Sequence, residues 1–277
     1  MRPGDGAGVR PSDRAAAASP AARAEHLAKR FHVLRAERTA LRALRALLRG
    51  ESLRRELWVL KDVSFEIARG AKVALVGRNG SGKTTLLRLL SGIYAPTAGR
   101  LEVADRPRPL FSCGVGFASE LSVSENVLLF GTVHGIRRHR LRERRRDILA
   151  RADLAPLAHV PVKDLSTGQV QRLALAVFAE AEAEFVILDE VIGNVDAGFL
   201  READRFFRAL VDSPRTVLMT SHDASFLRAY CDEAMWIDGG AIRLHGRFDA
   251  VLREYERSFG EPEADPAARR ERVGARS

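Results

Sequence analysis

The sequence has no long hydrophobic run, few cysteines and few aromatic residues. No apolar stretch approaches the roughly 18 to 20 residues that a membrane-spanning helix needs. No apolar segment follows the arginines of the N-terminus, so we expect no export or transit signal. The two cysteines, Cys113 and Cys231, lie far apart and match no metal-ligand spacing. We therefore expect a cytoplasmic chain with two ordinary thiols.

The chain is strongly basic, with a formal net charge of +9 over 277 residues. Such an excess leaves three partner classes open: nucleic acid, an anionic membrane surface and an acidic substrate. Charge alone does not decide between them. The hydrophobic content of 46% is ample for a sizeable core, so a folded protein is expected.

The distribution of residue types predicts one folded region between two flexible tails. Residues 1–25 and 261–277 are rich in small and polar residues and have few large apolar ones, so we expect residues 26–260 to fold. Strand-like apolar runs then alternate with helical ones, which predicts an α/β fold with a largely parallel sheet. The strand-like runs are 59–67, 72–76, 185–188 and 216–220, and the helical runs are 83–90, 168–181, 198–210 and 224–231. Residues 122–161 are helical without strands, and a hairpin at Gly239-Gly240 should close the far edge.

A glycine-rich loop follows the second apolar strand. The pattern G-x-x-x-x-G-K-[ST] is met at residues 77–84, and its last two residues begin the helical run 83–90. In such a loop backbone N–H groups close around phosphate, the lysine reaches the terminal phosphates and the threonine hydroxyl ligates Mg²⁺. The sequence therefore predicts a site for ATP with Mg²⁺. Its nucleotide-binding residues are expected to be Gly77, Asn79, Gly80, Gly82, Lys83, Thr84 and Thr85.

Polar residues end two further apolar strands. Asp189 and Glu190 follow one strand, and His222 follows the next, so all three should lie at the carboxyl edge of the sheet. We predict that Asp189 holds Mg²⁺ together with Thr84. Glu190 is expected to polarise the attacking water, and His222 to sense the γ-phosphate. With Lys83, they form the predicted catalytic group.

A capped helix start lies at Leu165-Ser166-Thr167-Gly168-Gln169, where Ser166 or Thr167 is the expected N-cap. Four motifs follow one another along the chain: the glycine-rich loop at 77–84 (the P-loop), L-S-x-G-Q, the D-E pair and S-H-D. With these motifs in this order, residues 26–260 resemble the nucleotide-binding domain of ABC transporters. The resemblance implies a P-loop NTPase of ABC type, with a mostly parallel core, an antiparallel N-terminal β part and an inserted helical subdomain at about residues 122–182.

The resemblance also implies a head-to-tail homodimer. Ser166 and Gly168 of one copy are then expected to close over the γ-phosphate held by the P-loop of the other. Asp196 occupies the D-loop position of the family. Phe31 stands where an aromatic residue usually stacks on adenine, although it could equally be a core residue.

Finer features resemble the ATPases that energise polysaccharide export. These features are Arg78 with Asn79, Gly116-Phe117 ahead of residues 120–126, Val191 after Glu190, and Gly198-Phe199 after Asp196. The resemblance implies export of O-antigen, capsule or teichoic-acid chains through a separate ABC-2-type permease, at the inner face of the cell membrane. An ATPase subunit of another ABC transporter, a non-transport ABC ATPase and a nucleotide-binding regulator remain alternatives. ABC ATPases that act on ribosomes usually join two ATPase domains in one chain, and those that act on DNA contain a long coiled-coil insertion. This sequence shows neither feature, so we expect no nucleic-acid partner.

The chain departs from the general family pattern in two places. Thr167 replaces the second glycine of the signature, and no glutamine occurs between the P-loop and Gln169. The usual Q-loop residue is therefore missing. We expect residues 110–120 to take over its role of linking the nucleotide to the permease.

A basic segment lies between Phe31 and Trp58. Arginines and leucines recur there at three- and four-residue intervals on different faces, which predicts a basic amphipathic helix over residues 34–49. One interpretation of this segment is a solvated helix that packs on its own domain. Our hypothesis is that its arginines meet anionic lipid headgroups or the pyrophosphate of a lipid-linked glycan.

Overall fold

The computed structural model describes residues 19–34, 54–104, 106–111, 116–190 and 197–260. Some sequence predictions lie outside these residues. They are the basic helix at 34–49 apart from Leu34, the D-loop residue Asp196, residues 112–115 of the segment proposed to replace the Q-loop, and most of both tails.

Within the described residues, nine strands form two sheets. The strands are β1 (Ala22–Leu34), β2 (Arg54–Ile67), β3 (Lys72–Val76), β4 (Ala98–Val103), β5 (Arg108–Phe111), β6 (Phe185–Asp189), β7 (Thr216–Thr220), β8 (Glu233–Asp238) and β9 (Ala241–Arg247). The larger sheet has the order β5-β6-β7-β3-β8-β9. Its first five strands in this order are parallel, and β9 is antiparallel at the edge. The predicted parallel core and its terminal hairpin are confirmed. Every residue of β3 and β7 is buried, which explains their continuous apolar sequences.

The smaller sheet is antiparallel and has the order β2-β1-β4, as expected for the N-terminal β part. Its first strand begins at Ala22, so the predicted start of the folded region at residue 26 is wrong by four residues. Ala21, Ala22 and Ala24 are all buried. Because small alanines fill this part of the core, the composition of the segment resembles that of a polar tail.

In the part of the chain that the structure describes, seven helices accompany the sheets. They are α1 (Lys83–Leu90), α2 (Val123–Val133), α3 (Arg138–Arg151), α4 (Thr167–Phe178), α5 (Ala197–Val211), α6 (Ala224–Tyr230) and α7 (Phe248–Gly260). Helix α2 begins at a capping box in which Ser122 and Glu125 exchange side-chain and backbone hydrogen bonds. With α3, α4 and two 3₁₀ turns, it forms the expected helical subdomain. No described helix is both long enough and apolar enough to cross a membrane.

The two faces of the larger sheet pack against different layers. Side chains alternate along a strand, so Val73 and Leu75 of β3 face one core while Ala74 and Val76 face the other. The first core contains α1 and the smaller sheet. The second contains α2 to α7, including the helical subdomain. This arrangement leaves the carboxyl ends of β3, β6 and β7 together at one edge of the sheet.

Candidate functional site

The P-loop connects the carboxyl end of β3 to the start of α1. Gly77 is required by close packing, because a Cβ atom there would lie 2.2 Å from the carbonyl oxygen of Ile237. Gly82 has a φ of 111°, in the left-handed region, and a Cβ atom there would lie 2.7 Å from Leu60 Cδ2. The glycines therefore let the loop turn tightly against its own domain, with Asn79 and Gly80 exposed at its outer side.

The lysine of the loop is held inside it. Lys83 Nζ donates hydrogen bonds to the carbonyl oxygens of Gly77 at 2.6 Å and Arg78 at 3.2 Å. Burial lowers the pKa of Lys83, while the nearby carboxylates of Glu190 and Asp189 oppose that shift. The ammonium group of Lys83 thus interacts electrostatically with both the predicted base Glu190 and the predicted Mg²⁺ ligand Asp189.

The P-loop also contains a polar atom without a protein partner. Ser81 is 5% exposed, and within the described part of the chain its Oγ atom has no hydrogen-bond partner. Such a group is costly to bury unless a ligand or water satisfies it. Thr84 is exposed and Thr85 is half-buried in the first turn of α1, where a bound anion would meet the positive end of the helix dipole. This loop fits a phosphate group.

Asp189 ends β6 beside the end of β7. The two strands pair in register, with Asp189 opposite Thr220. The Thr220 hydroxyl donates a 2.6 Å hydrogen bond to Asp189 Oδ1. One carboxylate oxygen is thereby fixed by the protein. The oxygen chemistry of Asp189 and Thr84 is the kind that Mg²⁺ prefers.

Glu190 and His222 form a pair at the same edge. His222 Nε2 lies 2.9 Å from Glu190 Oε1, and both side chains are more than half exposed. The Glu190 backbone N–H donates to the carbonyl oxygen of Thr220 at 3.3 Å and to its hydroxyl at 3.1 Å. Glu190 has a φ of 50°, which is unusual for a residue with a side chain. Strain of this kind costs about 1–3 kcal/mol and is concentrated at functional sites.

Phe31 lies on β1, half-buried rather than fully in the core. Its ring meets that of Tyr94 edge to face, with centroids 5.4 Å apart. Lys29 Nζ lies 5.2 Å from the centre of the Phe31 ring. The ring therefore belongs to a small surface cluster, which leaves both the stacking role and a purely structural role consistent with its position.

The signature motif starts α4 and is exposed. Ser166 is the N-cap, and its hydroxyl accepts from the Gln169 backbone N–H in a capping box. The hydrogen bonds of Ser166 all go to the first turn of its own helix. Ser166 is exposed and Gly168 is half-buried at this helix start. The predicted contact of both residues with a second copy stays a prediction, as does the role of Asp196.

Thr220 is the residue of this site that the sequence analysis did not single out. It is 3% exposed and hydrogen-bonds to both Asp189 and Glu190. A signal was present, since a threonine ending an apolar strand faces an aspartate ending the strand beside it. That signal needs the strand order, because β6 and β7 must be neighbours for the two residues to meet.

A second overlooked residue is Asn126, which is fully buried in α2. Its side chain accepts from the Ala118 backbone N–H and donates to the carbonyl oxygens of Ala118, Leu121 and Ser122. This residue fixes the turn that follows the segment proposed to replace the Q-loop. A lone asparagine in a helical run gives no indication of such a role.

Comparison with known proteins gives consistent similarities. A family model described as ABC transporter matches residues 60–193. The chain is 33% identical over 243 residues to the O-antigen export system ATP-binding protein RfbB of Myxococcus xanthus, covering 86% of this chain and 56% of that relative. The chain thus spans little more than half the length of that relative. It is also 31% identical to an O-antigen export system ATP-binding protein RfbB of Klebsiella pneumoniae, covering 74% of this chain and 83% of that one.

A solved structure shows the same fold. It is the dimeric structure of a post-hydrolysis state of the ATP-binding cassette MJ0796 bound to ADP and Pi, with a TM-score of 0.64 and 18% identity. The match covers 82% of this chain and 98% of that one. At this identity the likeness concerns the fold.

Proposed function

Because the chain belongs to the ATP-binding family of ABC transporters, we propose that it binds and hydrolyses ATP to power export of a polysaccharide or lipid-linked glycan. The observation that carries the ATPase proposal is the convergence of three elements at one sheet edge. The P-loop lysine, the carboxylate of Asp189 and the pair of Glu190 with His222 all lie there. A phosphate-binding loop beside a general base and an oxygen ligand set is the arrangement that phosphoryl transfer to water requires.

We assign the residues of this edge as follows. Lys83 and the backbone of the P-loop hold the β- and γ-phosphates. Thr84 and Asp189 hold Mg²⁺, which supplies neutralisation of phosphate charge when bound. Glu190 orients and deprotonates the attacking water, and His222 contacts the γ-phosphate while its hydrogen bond with Glu190 positions the base. Phe31 stacks on adenine from β1.

The second half of the site is proposed to come from a second copy of the chain. Ser166 lies at the start of α4 on the surface, where its exposed hydroxyl and the helix N-terminus favour an anion. In a head-to-tail homodimer, Ser166, Gly168 and Asp196 of one copy close over the nucleotide of the other. Two equivalent sites follow from that symmetry.

The transported substrate is inferred from the relatives rather than from the site. Both similar RfbB proteins are named for O-antigen export. We propose the same class of cargo here, moved by a separate ABC-2-type permease, with the chain held at the inner face of the membrane by that partner. Three apolar side chains of the helical subdomain are unusually exposed and offer a surface for the permease: Leu121 at 38%, Leu129 at 37% and Val133 at 65%.

The substitution Glu190→Gln tests the ATPase proposal. It keeps the size of the side chain and its hydrogen bond to His222 but removes the base, so we expect ATP turnover to fall by about 10²–10⁴-fold while ATP still binds. The variant should also accumulate as an ATP-bound dimer, seen by size-exclusion chromatography. Glu254→Gln, an exposed carboxylate on α7, is the matched control and should behave as the parent.

Two readouts separate the parts of the proposal. Unchanged turnover in Glu190→Gln would show that Glu190 is not the base for ATP hydrolysis and would contradict the ATPase proposal for this edge. The export role is tested by deleting the chain from its host and restoring it with the parent or with Glu190→Gln. Only the parent should restore the surface glycan, and an intact glycan after deletion would contradict the proposed cargo.

A further inference from the structure

Helix α3 carries an unusual concentration of positive charge. Residues 137–151 contain eight arginines and two acidic residues. The arginines divide into two groups according to their partners. One group points to acidic residues of the segment after α4, and the other lies on the exposed side of the helix.

Every arginine of the first group forms an ion pair within the domain. Glu180, whose side chain is 4% exposed, pairs with Arg140, Arg144 and Arg151. Arg140 also pairs with Glu182. These contacts tie α3 to the end of α4 and give the three paired arginines a structural role, although each side chain is still more than one-third exposed.

The second group has no such partner among the residues that the structure describes. Arg138, Arg142 and Arg145 recur at spacings of four and three residues, so they follow one another along one face of α3. All three are exposed, and within the described residues none forms an ion pair. Like charges at these spacings repel and destabilise a helix. The row therefore presents three positive charges without an ion-pair partner among the described residues at the surface of the domain.

We propose that Arg138, Arg142 and Arg145, the α3 arginine row, bind the anionic phospholipid headgroups of the membrane. Guanidinium groups bind phosphate in a planar, bidentate geometry, and a row of them suits a surface rather than a single small anion. The inference that the anionic partner is a membrane surface rests on the proposed function. The exposed Leu129 and Val133 on the adjoining α2 are the proposed permease surface, so the same subdomain would lie close to the headgroups.

Vesicle flotation with the purified full chain tests this inference without a permease. Vesicles of about one-third phosphatidylglycerol in phosphatidylcholine provide the anionic surface, and pure phosphatidylcholine vesicles provide the neutral one. The triple variant R138Q/R142Q/R145Q should bind the anionic vesicles about 10- to 100-fold more weakly than the parent. Neutral vesicles should bind neither protein, and binding by the parent should fall steeply as salt rises.

A matched variant controls for net charge. R243Q/R253Q/R257Q removes three exposed arginines from β9 and α7, and should keep most of the binding. Equal loss in both triple variants, or undiminished binding in the α3 variant, overturns the proposal. So does a preference of the parent for a single-stranded oligonucleotide over the anionic vesicles in a competition assay.

The ATPase assay distinguishes this inference from the proposed function. The α3 row lies outside the nucleotide site, so ATP turnover of R138Q/R142Q/R145Q should match that of the parent, and its melting temperature should be no lower, because repulsion between the arginines is removed. Weaker vesicle binding with normal turnover supports the membrane role. Normal vesicle binding with normal turnover rejects it and leaves the ATPase proposal intact.

Discussion

The hydroxyl of Thr220 offers a direct test of how the catalytic edge is organised. Thr220→Val keeps the shape of a buried strand residue but removes a hydrogen bond to Asp189 and another from the Glu190 N–H. A hydrogen bond to a charged group contributes about 1.5–3 kcal/mol. If that energy positions the carboxylates in the transition state, turnover should fall by about 10- to 100-fold.

The same strand provides a matched control. Thr216 begins β7, is also 3% exposed, and its hydroxyl accepts a 2.9 Å hydrogen bond from the Gly70 N–H. Thr216→Val therefore has a comparable structural cost, about 1–2 kcal/mol, at the opposite end of the strand from the site. Both variants should lose a few degrees in melting temperature, since 1 kcal/mol shifts it by about 2–4 °C in a chain of this size.

The comparison uses steady-state ATP hydrolysis and thermal melting with and without Mg-ATP. We expect both variants to be destabilised and only Thr220→Val to lose turnover and part of its stabilisation by Mg-ATP. Equal losses of turnover would show that a general weakening of β7 is responsible. Full activity of Thr220→Val would refute the positioning of Asp189 and Glu190 by this hydroxyl.

Two further predictions concern the P-loop and the helical subdomain. Gly77→Ala should abolish binding of a fluorescent ATP analogue, because its Cβ atom would collide with the backbone of Ile237, whereas Gly246→Ala, which has open space around it, should bind normally. Burial, and secondarily the charge of Arg108, lowers the pKa of His134 from 6.5 to about 4, so the folded state favours its neutral form. This contribution is present above pH 6.5 and is lost as the pH falls toward 4; discounted for partial exposure, it is about 1–2 kcal/mol. His134→Phe should therefore lose less stability than the parent between pH 7 and pH 5 in urea unfolding, and an equal loss would contradict this.

The elements that carry the site were predictable because they are buried on both faces. A strand in the middle of a parallel sheet is apolar throughout, and β3 and β7 have the predicted bounds at both ends. Helix α1 likewise has its predicted bounds, because the glycine before Lys83 and the apolar spacing after it mark its start and face. The bounds of these segments depend mainly on the local sequence pattern and on burial, and both can be inferred from a single sequence.

Features that depend on pairing between distant segments were not predictable. The start of β1 depends on its partners, since Ala22 pairs with Ile67 in β2 and Val103 in β4. The role of Thr220 depends in the same way on which strand lies beside β7. Contacts of this kind are fixed by the topology, and neither alanine content nor one threonine indicates them.

The exposure of Glu190 and His222, the proposed catalytic pair, bears on the proposal that hydrolysis needs two copies. Glu190 and His222 are 51% and 67% exposed, although they hydrogen-bond to each other. Exclusion of bulk water lowers the local dielectric and strengthens the interactions of the site's positive groups with the phosphates. The single chain holds Glu190 in a strained backbone conformation yet leaves it open to solvent. A surface from a second copy, beginning at Ser166, would supply the missing cover. The strain at Glu190 would then fix the direction of the base before closure, and closure would set its reactivity.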